Sequence, residues 1–283
     1  MPIVYEQLLN HRIEPVRQRY TRRDAIFYAL SVGFGSDPLD ERQLGFVDHH
    51  RALQAVPTMA IVLGSPGFWL RDPATGVDAV RLVHGEQGID WHAPLAPEGE
   101  VIGQTRITGL VDKGAGKGAL LYTEKKLLDA ATGTLVATAR STTFLRGDGG
   151  FGGPAGPVKA PHAMPATPPD ITCDLPTRPE QALWYRMNGD DNPLHADPRT
   201  ARQAGFPRPI LHGLCTLGIV AHALLRELGG YEPARMRSLD LRFSAPVFPG
   251  ETIRTEIWRD GSFRARVPER DAIVVNNGRA VFA

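Results

Sequence analysis

Cysteine is nearly absent: Cys173 and Cys215 are the only two in 283 residues. One stands in a proline-rich stretch and the other inside an apolar helical pattern, so a disulfide framework is not expected and a reducing compartment is. Excess charge of either sign is also missing, since 32 basic against 31 acidic residues leave a net charge of +1. Bulk electrostatics therefore point to neither nucleic acid nor an anionic membrane, and any anionic ligand must be held by a local site. No window approaches the roughly 18 uninterrupted apolar residues of a membrane span. The opening MPIVYEQLLNHRIEP lacks the basic start and apolar run of a signal peptide, and the closing GRAVFA is no peroxisomal address. A cytoplasmic protein without membrane or nucleic-acid partners is expected. What the chain has is 42% hydrophobic residues, enough core for one large domain or two of roughly 130 to 150 residues.

One stretch differs from the rest. Gly and Pro dominate 147–178 and no apolar period survives there, which is linker chemistry. It divides the chain into halves, 1–146 and 179–283, with the same order of patterns. In the first, Thr21 is a plausible N-cap for a helix that ends in glycines, and strand-like runs follow at Val80 to His92, Glu100 to Val111, Gly118 to Leu128 and Leu135 to Leu145. In the second, helical patterns over Pro179 to Met187 and His212 to Leu228 precede the strand-like runs MRSLDLRF, ETIRTEIW, SFRARV and AIVVNNGRAVF. Helix followed by antiparallel meander, twice, predicts an α+β fold of two similar halves packed as a pseudo-dimer. The helix from His212 is about 25 Å long, close to the width of a curved sheet that wraps it.

The string NGDDNPLHADP, Asn188 to Pro198, concentrates titratable side chains where Pro193 denies a regular helix. On the resulting loop, Asp190 and His195 can converge on a single water, with Asn192 between them. Such a pair suits general acid and base work near neutral pH, because imidazole titrates there and burial tunes a carboxylate. Further on, PILHGLC opens the apolar helix at His212 and Gly213. A helix start exposes unpaired N–H groups, and Gly213 lets a substrate carbonyl approach them, as an oxyanion hole requires. Taken singly, DDNP is a turn formula, a lone histidine is usually a surface or satisfied group, and a glycine at a helix start is usually a cap. The conjunction of all of them between Asp190 and Gly213 favours catalysis. A metal site is not expected, because Asp190, His195, Asp197 and His212 lack a familiar ligand spacing and no thiolate joins them.

The stretch YRMNGDDNPLHADPRTARQAGFPRPILHGLCTLG, Tyr185 to Gly218, closely resembles the signature of the R-specific enoyl-CoA hydratases, hydratase 2, in the MaoC-like double hot-dog group. RDAIFYALSVG, VPTMAIVLG, HGEQ, DKGAGKG and GDGGFGGP in the first half look like the hydratase part of peroxisomal multifunctional enzymes. The resemblance implies two curved antiparallel sheets, each wrapping a central helix. It implies reversible hydration of a trans-2-enoyl-CoA to a (3R)-3-hydroxyacyl-CoA, by a homodimer with no cofactor beyond the CoA of its substrate. Asp190 and His195 would hold the water, Asn192 would orient them, and the Gly213 N–H would polarise the thioester. His84, Gly85, Lys113 and Phe243 match positions that contact the acyl-CoA, Lys113 as a point charge for a CoA phosphate. The first half, which has no acid-amide-imidazole string, would shelter the acyl tail, with the helix from Arg22 to Gly33 and the segment on to Gly67 as walls. Met187, Asn188 and Ala196 depart from the usual residues without removing a catalytic group, and Gly64 to Gly76 is less familiar. Two other readings stand beside this one: a non-catalytic acyl-CoA or partner-binding double hot-dog, and a MaoC-like dehydratase for another CoA or carrier-protein ester.

Overall fold

A computed structural model describes residues 2–283. The first half contains helices α1 (Tyr5–Leu9), α2 (Arg22–Ser31), α3 (Leu44–Val47) and α4 (Met59–Val62), with strands β1 (Val16–Tyr20), β2 (Leu82–Trp91), β3 (Gly99–Asp112), β4 (Ala119–Asp129) and β5 (Leu135–Leu145). The second contains β6 (Ile171–Pro176), α5 (Gln181–Tyr185), α6 (Pro198–Gln203), α7 (Gly213–Glu227), β7 (Met236–Phe243), β8 (Thr252–Ile257), β9 (Ser262–Val267) and β10 (Ala272–Phe282). No helix among the described residues is long and apolar enough to cross a membrane.

All ten strands belong to one sheet, in the order β1-β3-β4-β5-β2-β7-β10-β9-β8-β6, with every pairing antiparallel. Five strands come from each half. The two expected sheets are therefore joined edge to edge, where Glu86–Asp90 of β2 run against Ser238–Arg242 of β7. The alternation of SFRARV, with Phe263, Ala265 and Val267 buried, shows the period of two that makes such a strand legible. The stretch expected as linker over 147–178 ends earlier, because Ile171–Pro176 pairs with β8 as the sheet's last strand. Its edge position tolerates Pro176, and Cys173 and Leu175 supply the buried face.

The helices are placed by equally local rules. Thr21 caps α2 in a capping box: its hydroxyl accepts the Asp24 N–H while the Asp24 carboxylate accepts the Thr21 N–H. α7 is apolar all round and is buried from Cys215 to Leu225, packed on β6 and β8. α2 and α7 share one core that runs through both halves. They meet at Gly218, where an added Cβ would lie 2.5 Å from Val32 Cγ1 and 3.4 Å from the Tyr28 hydroxyl. The end of α2 is also tied to the second half by polar contacts. Gln181 Nε2 donates to the Ser31 carbonyl (2.6 Å) and Asn188 Nδ2 to the Ser31 hydroxyl (2.9 Å). The inward residues of α2, including Tyr28 and Ala29, and Val32 at its C-cap are enclosed in this core. They fill space instead of lining a cavity, so the expectation that this helix forms a wall of a tail pocket gains no support.

Glycine inside a helix costs about 1 kcal/mol relative to alanine, so Gly218→Ala would stabilise a free helix. Here the methyl must displace Val32, and Gly218→Ala is expected to lower the melting temperature of the protein. An unchanged or higher value by calorimetry would contradict so close a contact between α2 and α7.

Candidate active site

The loop after α5 begins with Gly189 at φ 107°, a left-handed turn that suits glycine. Asn192 then caps the single 3₁₀ turn Pro193–His195, its side-chain oxygen accepting the Leu194 N–H at 3.1 Å. Asp197 caps α6 by accepting the Arg199 N–H at 2.8 Å. DDNP is thus a capped turn, and the turn is the scaffold of the site. Asn192 also touches Asp190: its backbone N–H donates to Asp190 Oδ1 at 3.2 Å, while its own side-chain oxygen serves the cap.

The turn carries His195 inward, to 8% exposure. Its Nδ1 lies 2.9 Å from the carbonyl of Ile210. A carbonyl only accepts, so Nδ1 carries the hydrogen and Nε2 keeps its lone pair. Burial lowers the His195 pKa, outweighing the Ile210 carbonyl and the Asp190 carboxylate, which both raise it. The imidazole is neutral near pH 7 and able to accept a proton. Side-chain donor atoms of Asp190, His195 and His212 all lie within 4.8 Å of one another. Two groups hydrogen-bonded to one water at about 2.8 Å each and a tetrahedral angle stand about 4.6 Å apart, so the spacing suits a shared water. Asp, His and His are also a donor set that holds divalent cations. Asp197, turned away as a cap, does not take part.

His212, expected at the opening of the helix and among four scattered metal-type residues, sits at the centre. Its ring stacks on His195, centroids 3.7 Å apart at 27°. Its Nε2 donates to the backbone carbonyl of Asp190 at 3.1 Å, and its buried Nδ1 has no partner. Burial, and then the neighbouring His195, bring its pKa down to about 4. The one available signal was its place directly before Gly213.

α7 starts at Gly213, and its first ladder bond runs from Thr216 N–H to His212. The N–H groups of Gly213, Leu214 and Cys215 thus stand outside the ladder. A Cβ on Gly213 would meet the Phe243 ring at 3.4 Å. That ring is T-shaped to His84, centroids 5.0 Å apart. His84 follows Val83 in β2, and the register shift between His84 and Glu86 leaves Gly85 as a bulge. Burial lowers the His84 pKa, against the Glu86 carbonyl, the Gln87 side chain and the Asp190 carboxylate, which raise it. Asp190, His195, Gly213, His84, Gly85 and Phe243 are brought to one end of the seam. Lys113 lies with its Nζ 5.5 Å from the centre of the Phe144 ring, and Phe144 pairs with Val83, the residue before His84. Its turn is fastened by Asp112, whose carboxylate accepts N–H groups of Gly114, Gly150 and Gly152. The motifs DKGAGKG and GDGGFGGP thereby form one structure.

The chain matches two family models, a MaoC like domain over residues 160–278 and an MFE-2 hydratase 2 N-terminal domain over residues 18–147. It is 44% identical to 3-hydroxyacyl-thioester dehydratase Y of Mycobacterium tuberculosis over 253 residues, covering 89% of this chain and 86% of that protein. It is 39% identical to the peroxisomal enoyl-CoA hydratase 2 of Arabidopsis thaliana over 290 residues, 95% of this chain and 92% of that one. The crystal structure of a MaoC-like dehydratase from Phytophthora capsici superposes with a TM-score of 0.85 at 34% identity, over 98% of both chains.

The site's electrostatics can be read directly. Asp190→Asn removes a charge that raises the His195 pKa, so the already lowered value is expected to fall further. Imidazole chemical shifts followed against pH would show this, and a value that stays or rises would mean the carboxylate does not face the ring.

Proposed function

The chain belongs to the MaoC-like hydratase 2 family, and from that membership we propose that it hydrates trans-2-enoyl-CoA reversibly to (3R)-3-hydroxyacyl-CoA, using one water held by Asp190 and His195. The observation that carries the residue assignment is the convergence of the Asp190 carboxylate on a neutral, buried His195 whose Nδ1 is already committed to Ile210. In this reading the water oxygen bonds to C3 of the enoyl group as His195 Nε2 takes one of its protons, while Asp190 accepts a hydrogen bond from the other. The electron pair of the double bond moves toward the thioester carbonyl, whose oxygen gains charge beside the Gly213 N–H. His195 then returns its proton to C2. Atoms balance as the addition of one water, and both residues end in their starting states.

Phe243 and His84 close the space over Gly213, which supports their assignment, with Gly85, to the acyl-CoA. Lys113 is assigned to the CoA phosphates as an exposed-turn cation. The acyl tail is assigned to the first half. An apolar cleft of about 580 Å³ bounded by Leu53, Ala55, Pro57, Trp91, Leu95 and Met236 supports that choice and lies at the far end of the β2–β7 seam. Two free, buried cysteines fit a reducing cytoplasm, and we assign the chain to a homodimer there.

Crotonyl-CoA supplied to the purified protein should lose its enoyl-thioester ultraviolet absorbance. Asp190→Asn and His195→Ala should each cut turnover about a hundredfold or more, the first at unchanged melting temperature and the second with a folded protein that melts lower, since it gives up the Ile210 bond. Gly213→Val should lose activity mainly in kcat, because the new methyls occupy the carbonyl's approach. Turnover within a few-fold of wild type in the first two variants would leave a binding protein, or an enzyme of another ester, as the better reading. Dialysis against a chelator should leave the rate unchanged. A loss restored by a divalent cation would instead assign Asp190, His195 and His212 to a metal.

A further inference from the structure

His212 occupies a position whose local rules call for another residue. It is the residue before the first turn of α7, where Ser, Thr, Asp or Asn normally cap the helix, yet its side chain makes no capping bond. It is 1% exposed, and burying an imidazole with Nδ1 unpartnered costs stability. Neither helix capping nor core packing accounts for it. What the side chain does touch is the reacting apparatus on every side. Its Nε2–H holds the backbone carbonyl of Asp190, its ring lies flat against His195, and its own peptide leads into the Gly213 N–H.

Building on the function proposed above, we infer that His212 is a positioning residue for the hydration, a neutral plate that fixes Asp190 and His195 relative to each other and to the start of α7. His195 cycles between neutral and cationic as it takes and returns the water's proton, and a second cation stacked 3.7 Å away would oppose that step. His212 escapes this because burial holds its pKa at about 4. The groups that face the pair are Asp190 from the loop, Arg186 just before it, and Tyr185 from α5 at 5.1 Å between ring centroids. His84 faces Asp190 from β2. Of these, Asp190 is the one carboxylate, and Arg186 disfavours protonation of His212 further.

Three substitutions separate the two contacts. His212→Gln keeps an N–H donor for the Asp190 carbonyl but no ring. His212→Phe keeps the stack but no donor, and His212→Ala keeps neither. With crotonyl-CoA, His212→Ala should lower kcat about a hundredfold with KM within about threefold, and the Gln and Phe variants should each recover about tenfold of that loss. Alongside, the His195 titration, followed by imidazole chemical shifts, should move up toward an ordinary histidine in His212→Ala and stay low in His212→Phe, because the stacked ring keeps water from His195. If His212→Ala does not fold, the Phe and Gln variants decide by the same two readings. Wild-type kcat with an unmoved His195 titration in the Phe and Gln variants would overturn the inference. So would equal losses in all variants that track the melting temperature alone. Should the wild-type protein not hydrate crotonyl-CoA, the proposed function falls, while the His195 titration still judges the positioning role.

Discussion

The hydrogen bond from His195 Nδ1 to the carbonyl of Ile210 joins two pieces of chain that together make the site. One is the turn built by Asn192 and Pro193, and the other is the segment that enters α7. The bond sets the tautomer of His195, so that its remaining nitrogen can accept a proton. It also sets where that nitrogen points. The stack of His212 on His195 and the Asp190 backbone carbonyl held by His212 extend the same tie into a unit of three residues. Mechanical demands on the rest of the protein follow, since Ile210 and Gly213 must be held where this unit can form.

That holding is the work of the core. α7 is buried along most of its length, packed on β6 and β8 and met by α2 at Gly218. The first half thus supports the site of the second from behind, through Tyr28, Val32 and the Ser31 contacts to Gln181 and Asn188. In front, the β2–β7 seam presents His84 and Phe243 toward the helix start. A pseudo-dimer in one chain frees each half to specialise, because only one copy of the loop has to be retained.

Much of this could be read from the chain, and what escaped did so for physical reasons. β5, β7, β9 and β10 fall where the strand-like runs placed them, because buried strands show their period directly. β1, with three of its five residues exposed, and β6, which ends in proline, are edge strands whose residues answer mostly to solvent and so carry little signal. Asp190, His195 and Gly213 were legible as a conjunction of residue types in one short stretch. Asn192 was legible as a neighbour of Asp190 but not as the cap of the turn, because a carboxamide beside a proline serves either part. His212 was missed because its role exists only once the loop and the helix start, more than fifteen residues apart, lie face to face. Lys113 was noticed by resemblance alone, because a lysine in a glycine-rich turn answers to solvent and carries little signal of its own.

The central claim is that one water, held on one face of the substrate by Asp190 and His195, supplies both the hydroxyl and the hydrogen. Hydration of crotonyl-CoA in deuterium oxide, followed by assignment of both new stereocentres by NMR, tests it most directly. The expected product carries a (3R)-hydroxyl with deuterium added to C2 from the same face. A (3S) product, or deuterium delivered from the opposite face, would contradict it.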